Sequence, residues 1–171
     1  GRESEPQQRR FPLRGTPVSC RYSSNDAALT IAVQDEAGKV DLNIASDELL
    51  RALVLGAGVE AGEAAVDAIL DFKDTDDDRR PSGAERPEYK AAGRPQGPKN
   101  APFYVVEELA SVLGLRQTDV DRLRPFVTVY SGQTGVDPNV AAEGLVDVLS
   151  RGAGQGGGLN FKNSLTSGMR L

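Results

Sequence analysis

The chain contains one segment twice, and this repeat constrains its fold more than any other feature. Residues 40–58 read VDLNIASDELLRALVLGAG, and residues 136–154 read VDPNVAAEGLVDVLSRGAG, 96 positions later and without a gap. Nine of the nineteen aligned positions are identical, where chance alone would give about two in a chain of this composition. The repeat therefore indicates a duplicated structural unit.

The shared positions predict the same local structure in both copies, namely an Asn-x-Ala turn, a helix and a glycine-rich hairpin. In the first copy, Asn43 or Ser46 can offer a side-chain oxygen to the start of the helix. Asp47 and Glu48 follow in its first turn, where acidic residues are favourable. We interpret the shared Asn as a capping residue rather than a catalytic one. Two such helices, each with an apolar face to bury, predict one helical core.

Composition excludes several kinds of functional site. The chain has no His and a single cysteine, Cys20, which excludes Ser/His/Asp triads, imidazole metal ligands, internal disulfides and CxxC motifs. The 25 acidic and 20 basic side chains give a net charge of −5, which disfavours nonspecific binding to nucleic acid. No segment has the length and apolar character of a transmembrane helix. These features indicate a soluble globular chain that is not an enzyme.

Three parts of the chain differ in composition. Residues 1–38 start with a polar, proline-containing loop and continue into two β-branched runs, at 18–22 and 29–33, that predict a β-hairpin. Residues 39–151 carry the repeat and form the predicted helical domain. Residues 152–171 are rich in Gly and predict a flexible tail. The predicted fold class is α+β, a mainly helical domain with duplicated helix-hairpin-helix-like units attached to a small antiparallel β-sheet.

Apolar spacing also predicts helices outside the first copy of the repeat. Thr118 is a candidate cap for one of them, and a short extended piece follows Pro125. Between positions 74 and 102, five prolines exclude regular structure across most of the segment, and loops of this length are often functional. The predicted helices are residues 64–73, 103–115, 118–125 and 141–151.

The acidic loop DTDDDRRPSGAE, residues 74–85, carries the strongest chemical signal in the chain. Asp74, Asp76 and Asp78 take the first, third and fifth places and Glu85 the twelfth, which is the ligand spacing of an EF-hand calcium loop. The sixth place, where an EF-hand needs Gly, is Arg79. We therefore predict an EF-hand-like calcium site with Asp74, Asp76, Asp78 and Glu85 as metal ligands. The alternative is a solvated acidic loop balanced by its arginines.

Two further motifs do not predict chemistry. The sequence GAGQGG at 152–157 matches GxGxxG, but it follows a helix instead of a strand and opens no helix, so it does not predict a dinucleotide site. Glu107 and Glu108 are adjacent on a predicted helix and face different directions. We interpret them as surface charges, and we predict no catalytic residues and no bound organic cofactor.

Five segments in order resemble a known family. They are VQDEAGKVDLNIASDELLRAL, DAILDFKDTDD, GAE followed by Tyr89, KNAPFYVVEELASVLGL and LRPFVTVYSGQTGVDPNVAA. Together they cover roughly residues 29–150 and resemble general secretion pathway protein K, the K-type minor pseudopilins of bacterial type II secretion. Phe72 stands where the family usually has Trp, and Lys73 where Arg is common.

The resemblance implies a non-enzymatic subunit at the tip of the pseudopilus, which helps to initiate and cap that fibre in protein export across the outer membrane. Its implied partners are the I-type and J-type minor pseudopilins and other secretion-system subunits, with no nucleic acid. The fold implied is a helical domain with SAM-like units inserted into a pilin-like sheet. An N-terminal helix absent from this chain would anchor the protein in the bacterial inner membrane, with this soluble domain in the periplasm. Calcium at the acidic loop is also implied.

The alternative function is a helix-hairpin-helix DNA-binding module of competence type. Residues 42–69 resemble such a unit, in which hairpin amides hold phosphate. Against this alternative, the hairpin carries Glu60 and Glu63 and no Lys or Arg, so it would repel phosphate.

Overall fold

The computed structural model describes residues 11–21 and 28–155, and its fold combines helices with two small sheets. The helices are α1 (Asp47–Gly56), α2 (Glu63–Lys73), α3 (Arg86–Ala91), α4 (Gln117–Leu123) and α5 (Leu145–Gln155). The strands are β1 (Val18–Arg21), β2 (Ala28–Ile31), β3 (Val40–Asp41) and β4 (Val127–Thr128). Short 3-10 helices cover Glu36–Gly38, Val106–Ser111 and Arg124–Phe126. This mixture of helices and small sheets agrees with the α+β prediction.

The hairpin predicted near the start of the chain is present. β1 and β2 pair antiparallel, with Val18 opposite Ile31, and the pairing continues through a bridge between Arg14 and Gln34. Gln34 Nε2 also donates to the carbonyl of Val140 at 3.0 Å, which ties the hairpin to the second copy of the repeat. Residues 1–10 of the predicted loop at 1–14 lie outside the described residues, as does the predicted flexible tail (152–171) from residue 156 onwards. The start of that tail is wrong, because residues 152–155 are the last turn of α5.

Both copies of the repeat form the same turn. Asp41 Oδ1 accepts the N–H of Asn43 at 2.9 Å, and Asp137 Oδ1 accepts the N–H of Asn139 at 2.8 Å. Such Asx turns fix the backbone just before each helix. Of the two candidate caps for α1, Ser46 is the N-cap and accepts an amide of the first turn at 3.2 Å. The interpretation of the shared Asn as a helix cap is therefore wrong.

The helices of the two copies, α1 and α5, cross at glycines that the repeat shares. A Cβ at Gly56 would lie 1.8 Å from the carbonyl oxygen of Val148, and a Cβ at Gly152 would lie 1.8 Å from that of Ala52. Positions 52 and 148 are equivalent in the repeat, as are 56 and 152, so the contact is reciprocal. The hairpin predicted for the second copy is wrong, because α5 continues through residues 152–154.

One hydrophobic core runs through the helical part. Every helix contributes side chains to it, and each fully buried aliphatic side chain stabilises the fold by about 1.5–3 kcal/mol. The largest completely buried apolar side chains are Leu42, Leu50, Leu53, Ile69, Tyr89, Leu109, Leu123, Leu145 and Leu149.

Residues 103–115, predicted as an α-helix, instead begin without regular structure and then form a 3-10 helix over Val106–Ser111. The side chain of Asn43 holds the start of this segment, since its Oδ1 accepts the N–H of Phe103 at 2.7 Å and its Nδ2 donates to that residue's carbonyl at 3.0 Å. The apolar residues at 106, 109 and 112 are three apart, which is the period of a 3-10 helix.

Smaller differences concern the ends of elements. Arg116, not Thr118, is the N-cap residue of α4. The proline-rich segment contains α3, where Pro87 lies in the first turn and its missing N–H costs no helical hydrogen bond. The extended piece predicted after Pro125 contains β4, which pairs in parallel with β3. The last helix starts at Leu145 rather than near residue 141.

Candidate metal centre

Three carboxylates converge where α2 ends and α3 begins. Asp71 lies in the last turn of α2, Asp74 directly follows that helix, and Glu85 directly precedes α3. One carboxylate oxygen of each lies within 4.8 Å of the other two. We call Asp71, Asp74 and Glu85 the acidic centre.

Gly83 allows the intervening loop to fold back over α2. A Cβ at this position would lie 2.0 Å from Asp71 Oδ2, so any side chain would clash with the acidic centre. The loop backbone also binds α2 directly, since the N–H of Arg80 donates to Asp71 Oδ2 at 3.2 Å and that of Ser82 donates to Asp67 Oδ2 at 3.0 Å. Folding of the loop therefore buries Asp71 completely.

The acidic centre is short of hydrogen-bond donors. Glu85 is 1% exposed, and within residues 11–21 and 28–155 neither of its carboxylate oxygens has a hydrogen-bond partner. Asp74 Oδ1 is buried in the same way. A buried carboxylate without partners is costly, so a cation or a proton that binds here would stabilise the folded chain.

The pKa values of the three carboxyls also indicate that a positive charge would stabilise the acidic centre. Burial, with repulsion from Asp71 and Asp74, raises the pKa of Glu85 from 4.5 to about 7. Burial also raises the pKa of Asp71. The pKa of Asp74 is raised by burial and by repulsion from Asp76 and Asp71. All three carboxyls therefore resist ionisation unless a positive charge is added.

Basic side chains near the acidic centre compensate it only in part. Arg80 Nε lies 3.5 Å from Asp71 Oδ1, and the same guanidinium lies 3.5 Å from Asp47 Oδ2. Lys73, whose pKa is lowered by burial, donates its Nζ to two carbonyls of the turn before α1, at 2.8 and 3.2 Å. Lys73 thus binds the backbone before α1 and is not an ion-pair partner of the acidic centre.

The structure brings together two of the four predicted ligands, Asp74 and Glu85. Asp76 and Asp78 are exposed, and Asp76 Oδ1 accepts the N–H of Asp78 at 2.9 Å. The sequence prediction did not include Asp71 as a ligand, because EF-hand spacing begins three residues later. The signal for Asp71 was its position three residues before Asp74, about one helical turn, which places both carboxylates at the C-terminal end of α2. The assignment of Asp76 and Asp78 stays a prediction.

The donor set of the acidic centre fits a hard divalent cation. Calcium and magnesium prefer oxygen ligands, and calcium accepts irregular sets of carboxylates, backbone carbonyls and water. The buried oxygens of Glu85 and Asp74, which lack partners in the described part of the chain, are ligands of this type. A divalent ion would also offset the carboxylate repulsion that raises the pKa values.

The turn between α1 and α2, on which the DNA-binding alternative rests, uses its amides internally. The N–H groups of Gly58, Val59 and Gly62 donate to backbone carbonyls at 3.1, 3.2 and 3.1 Å. The N–H of Glu60 points to Asp119 Oδ1 at 3.5 Å. Since these amides already have acceptors, they are not free to hold phosphate, and the alternative is not supported.

Comparison with known proteins identifies the family. The family model described as type II secretion system (T2SS), protein K, matches residues 27–132. This chain belongs to the type II secretion system protein K family. The match covers more than half of the chain and includes the acidic centre, β3 and β4. The sequence resemblance to protein K is thereby confirmed.

One curated relative and one solved structure are similar to this chain. A curated protein of Escherichia coli (strain K12), named "Putative type II secretion system protein K", is 31% identical over 84 residues, which are 48% of this chain and 26% of that protein. A chain in the crystal structure of the GspK-GspI-GspJ complex from the type 2 secretion system of enterotoxigenic Escherichia coli matches with a TM-score of 0.63 and 20% identity. That match covers 85% of this chain and 57% of the other. The chain thus spans less than two thirds of either relative.

None of the helices within residues 11–21 and 28–155 is both long enough and apolar enough to cross a membrane.

Proposed function

We propose that this chain is the folded domain of a minor pseudopilin, which acts by assembling with other subunits rather than by catalysis. Membership of the protein K family carries this proposal. The shared fold with a chain of the GspK-GspI-GspJ complex supports it. The partners that we propose are the I-type and J-type minor pseudopilins.

The proposed place of action is the tip of the pseudopilus, where the complex starts and caps the growing fibre. An N-terminal apolar helix would hold the whole protein in the inner membrane and leave this domain in the periplasm. The β1–β2 hairpin would then belong to a pilin-like sheet. Two observations support that role: Leu13 and Leu29 of the hairpin are 44% and 55% exposed, and within the described residues this sheet has only two strands.

Co-purification tests the assembly. The chain is mixed with the soluble domains of the I-type and J-type subunits of the same bacterium and separated by size-exclusion chromatography with light scattering. We expect one peak with the mass of a ternary complex, and pairwise mixtures serve as controls. Elution of this chain alone in every mixture would remove the proposed function and leave the fold unaffected.

We also propose that the acidic centre binds calcium. The buried, partnerless oxygens of Glu85 and Asp74 support this, as does the convergence of three carboxylates within 4.8 Å. The bound ion would fix the loop between α2 and α3 against α2. The chemistry is structural, since the ion stabilises the fold and takes part in no reaction.

Thermal denaturation with and without millimolar calcium tests this second proposal. At a concentration of 100 times the dissociation constant, calcium would add about 2.7 kcal/mol, which is about 5–10 °C in a chain of this size. We expect Asp74→Asn to abolish the shift and Asp147→Asn, an exposed acid of α5, to leave it unchanged. Asp76→Asn shows whether the EF-hand-like set is correct, since it abolishes the shift only if Asp76 is a ligand. A melting temperature that calcium does not change would contradict the proposal.

A further inference from the structure

Residues 99–105, which we call the strap, run beside the loop that carries the acidic residues. Asn100 makes the contact. Its Nδ2 donates to the carbonyl of Asp76 at 3.0 Å and to Asp77 Oδ1 at 3.2 Å, and its N–H donates to the carbonyl of Phe72 at 3.0 Å. The strap is therefore bound both to the acidic loop and to the last turn of α2.

The backbone of Asn100 has an unusual conformation. Among the described residues it is the only non-glycine residue with a positive φ, 48°, a region that L-residues enter at a cost. Its Oδ1 is buried and has no hydrogen-bond partner within the described ranges. The contacts that Nδ2 makes with the acidic loop are thus the interactions that favour Asn here over Gly.

A second set of contacts joins the strap to α2. The ring of Phe103 stacks on Phe72, with 5.1 Å between the ring centroids. Phe103 is also held by the two hydrogen bonds of Asn43, and the carbonyl of Asn43 accepts from Lys73 Nζ at 3.2 Å. Phe72 and Lys73 lie between Asp71 and Asp74 in the chain. The same turn of α2 therefore carries the acidic centre on one side and the strap on the other.

The strap presents an exposed aromatic surface. Tyr104 and Tyr130 are each 71% exposed, and the hydroxyl of Tyr130 donates to the carbonyl of Tyr104 at 3.3 Å. Lys99 Nζ lies 3.5 Å from the centroid of the Tyr104 ring and 2.7 Å from Glu108 Oε1. We call Tyr104 and Tyr130 the tyrosine surface. Its shape depends on where the strap lies.

We propose that cation binding at the acidic centre fixes the strap through Asn100 and so sets the tyrosine surface. The inference rests on the proposed calcium site. Without a cation, repulsion among the carboxylates loosens the turn at residues 74–78, which carries both acceptors of Asn100 Nδ2. With a cation, that turn is held, and the strap is held with it. The strap thus has a held and a loosened arrangement, and the cation favours the held one. An element with two arrangements that a ligand favours unequally is what energetic coupling between separate sites requires.

Hydrogen exchange of the whole chain, with calcium or with a chelator, tests this inference. The probes are the amides of Asn100, Phe103 and Tyr104, which are all hydrogen-bonded. In the wild type we expect calcium to slow their exchange by about tenfold or more. Asn100→Gly allows the same positive φ and removes the side-chain amide group that contacts the acidic loop. It should bind calcium within about threefold of the wild-type affinity by calorimetry, with no calcium-dependent slowing in the strap.

The matched control is Asn139→Ala, since Asn139 is exposed and its side chain bonds locally to Asp137. This variant should behave as the wild type. Calcium binding without any change in strap exchange overturns the inference and leaves the calcium proposal standing. An absence of calcium binding by the wild type overturns both. Loss of calcium binding in Asn100→Gly also contradicts the inference, because Asn100 would then belong to the binding site itself.

Discussion

Replacing Glu85 with Gln is expected to change stability in opposite directions with and without calcium. In the metal-free chain, burial raises the pKa of Glu85 from 4.5 to about 7. A carboxyl with a higher pKa in the folded than in the unfolded state takes up a proton on folding. Its contribution to stability is therefore fully present below the unfolded pKa of 4.5 and is lost as the pH rises to about 7.

The size of the effect follows from the two pKa values. One pH unit corresponds to about 1.4 kcal/mol, so ionised Glu85 costs the folded chain about 3 kcal/mol above its folded pKa of about 7. Gln has the same size and no charge. In a chelator at about pH 8, the variant should gain about 2–3 kcal/mol in the free energy of unfolding. In calcium the ionised carboxylate is a ligand, so the variant should lose up to about 3 kcal/mol of ligand stabilisation.

Urea denaturation followed by circular dichroism, in chelator and in calcium, measures both effects. Between about pH 5 and pH 8 in chelator, wild-type stability should fall, whereas that of Glu85→Gln should stay nearly constant. Glu143→Gln, at an exposed carboxylate, is the control and should change stability by less than about 0.5 kcal/mol. Equal destabilisation of Glu85→Gln in both conditions would refute the reasoning, because Glu85 would then act as a structural hydrogen-bond acceptor.

Three further predictions follow from close contacts and caps. Gly152→Ala places a Cβ 1.8 Å from a carbonyl oxygen of α1 and should cost about 3 kcal/mol in chemical denaturation. In the same helix, Gly154→Ala meets nothing within 4 Å and should be neutral or slightly stabilising; similar losses in both variants would argue against the crossing. Gly83→Ala places a Cβ 2.0 Å from an oxygen of the acidic centre and should weaken calcium binding at least about tenfold by calorimetry, and unchanged affinity would contradict this geometry. Ser46→Ala removes the α1 cap and should lower the free energy of unfolding by about 1 kcal/mol, whereas no change would show that the cap is dispensable.

Local patterns were sufficient to predict part of the fold. The β-branched runs predicted the β1–β2 hairpin, and apolar spacing with Ser46 and its acidic neighbours predicted α1. Helix α2 begins at Glu63, one residue before its predicted start. These elements depend on interactions between residues close in the chain, which sequence spacing records directly.

Other elements depend on contacts between distant residues. Phe103 does not start an α-helix, because the side chain of Asn43, 60 residues earlier, binds both the N–H and the carbonyl of Phe103. Helix α5 continues through residues 152–154, and α1 approaches it so closely at Gly152 that only glycine fits at that position. Sequence spacing alone predicted a hairpin at those glycines, since it does not record which helix packs against them.

The predicted ligand set and the acidic centre overlap only in part, since Asp74 and Glu85 belong to both, and calcium binding itself stays a prediction. EF-hand spacing assumes that alternate residues turn inward, as Asp76 and Asp78 would have to do. Instead the loop folds back at Gly83, which buries Asp71 and turns Asp76 and Asp78 towards solvent.

A crystal structure of this chain grown with calcium, or with a lanthanide that gives a strong anomalous signal, tests the central claim most directly. We predict one anomalous peak within bonding distance of Asp71, Asp74 and Glu85, at the calcium–oxygen distances of about 2.3–2.6 Å. A structure at millimolar calcium in which the acidic centre holds no ion, or in which the ion is bound by exposed residues of the loop alone, would contradict the account.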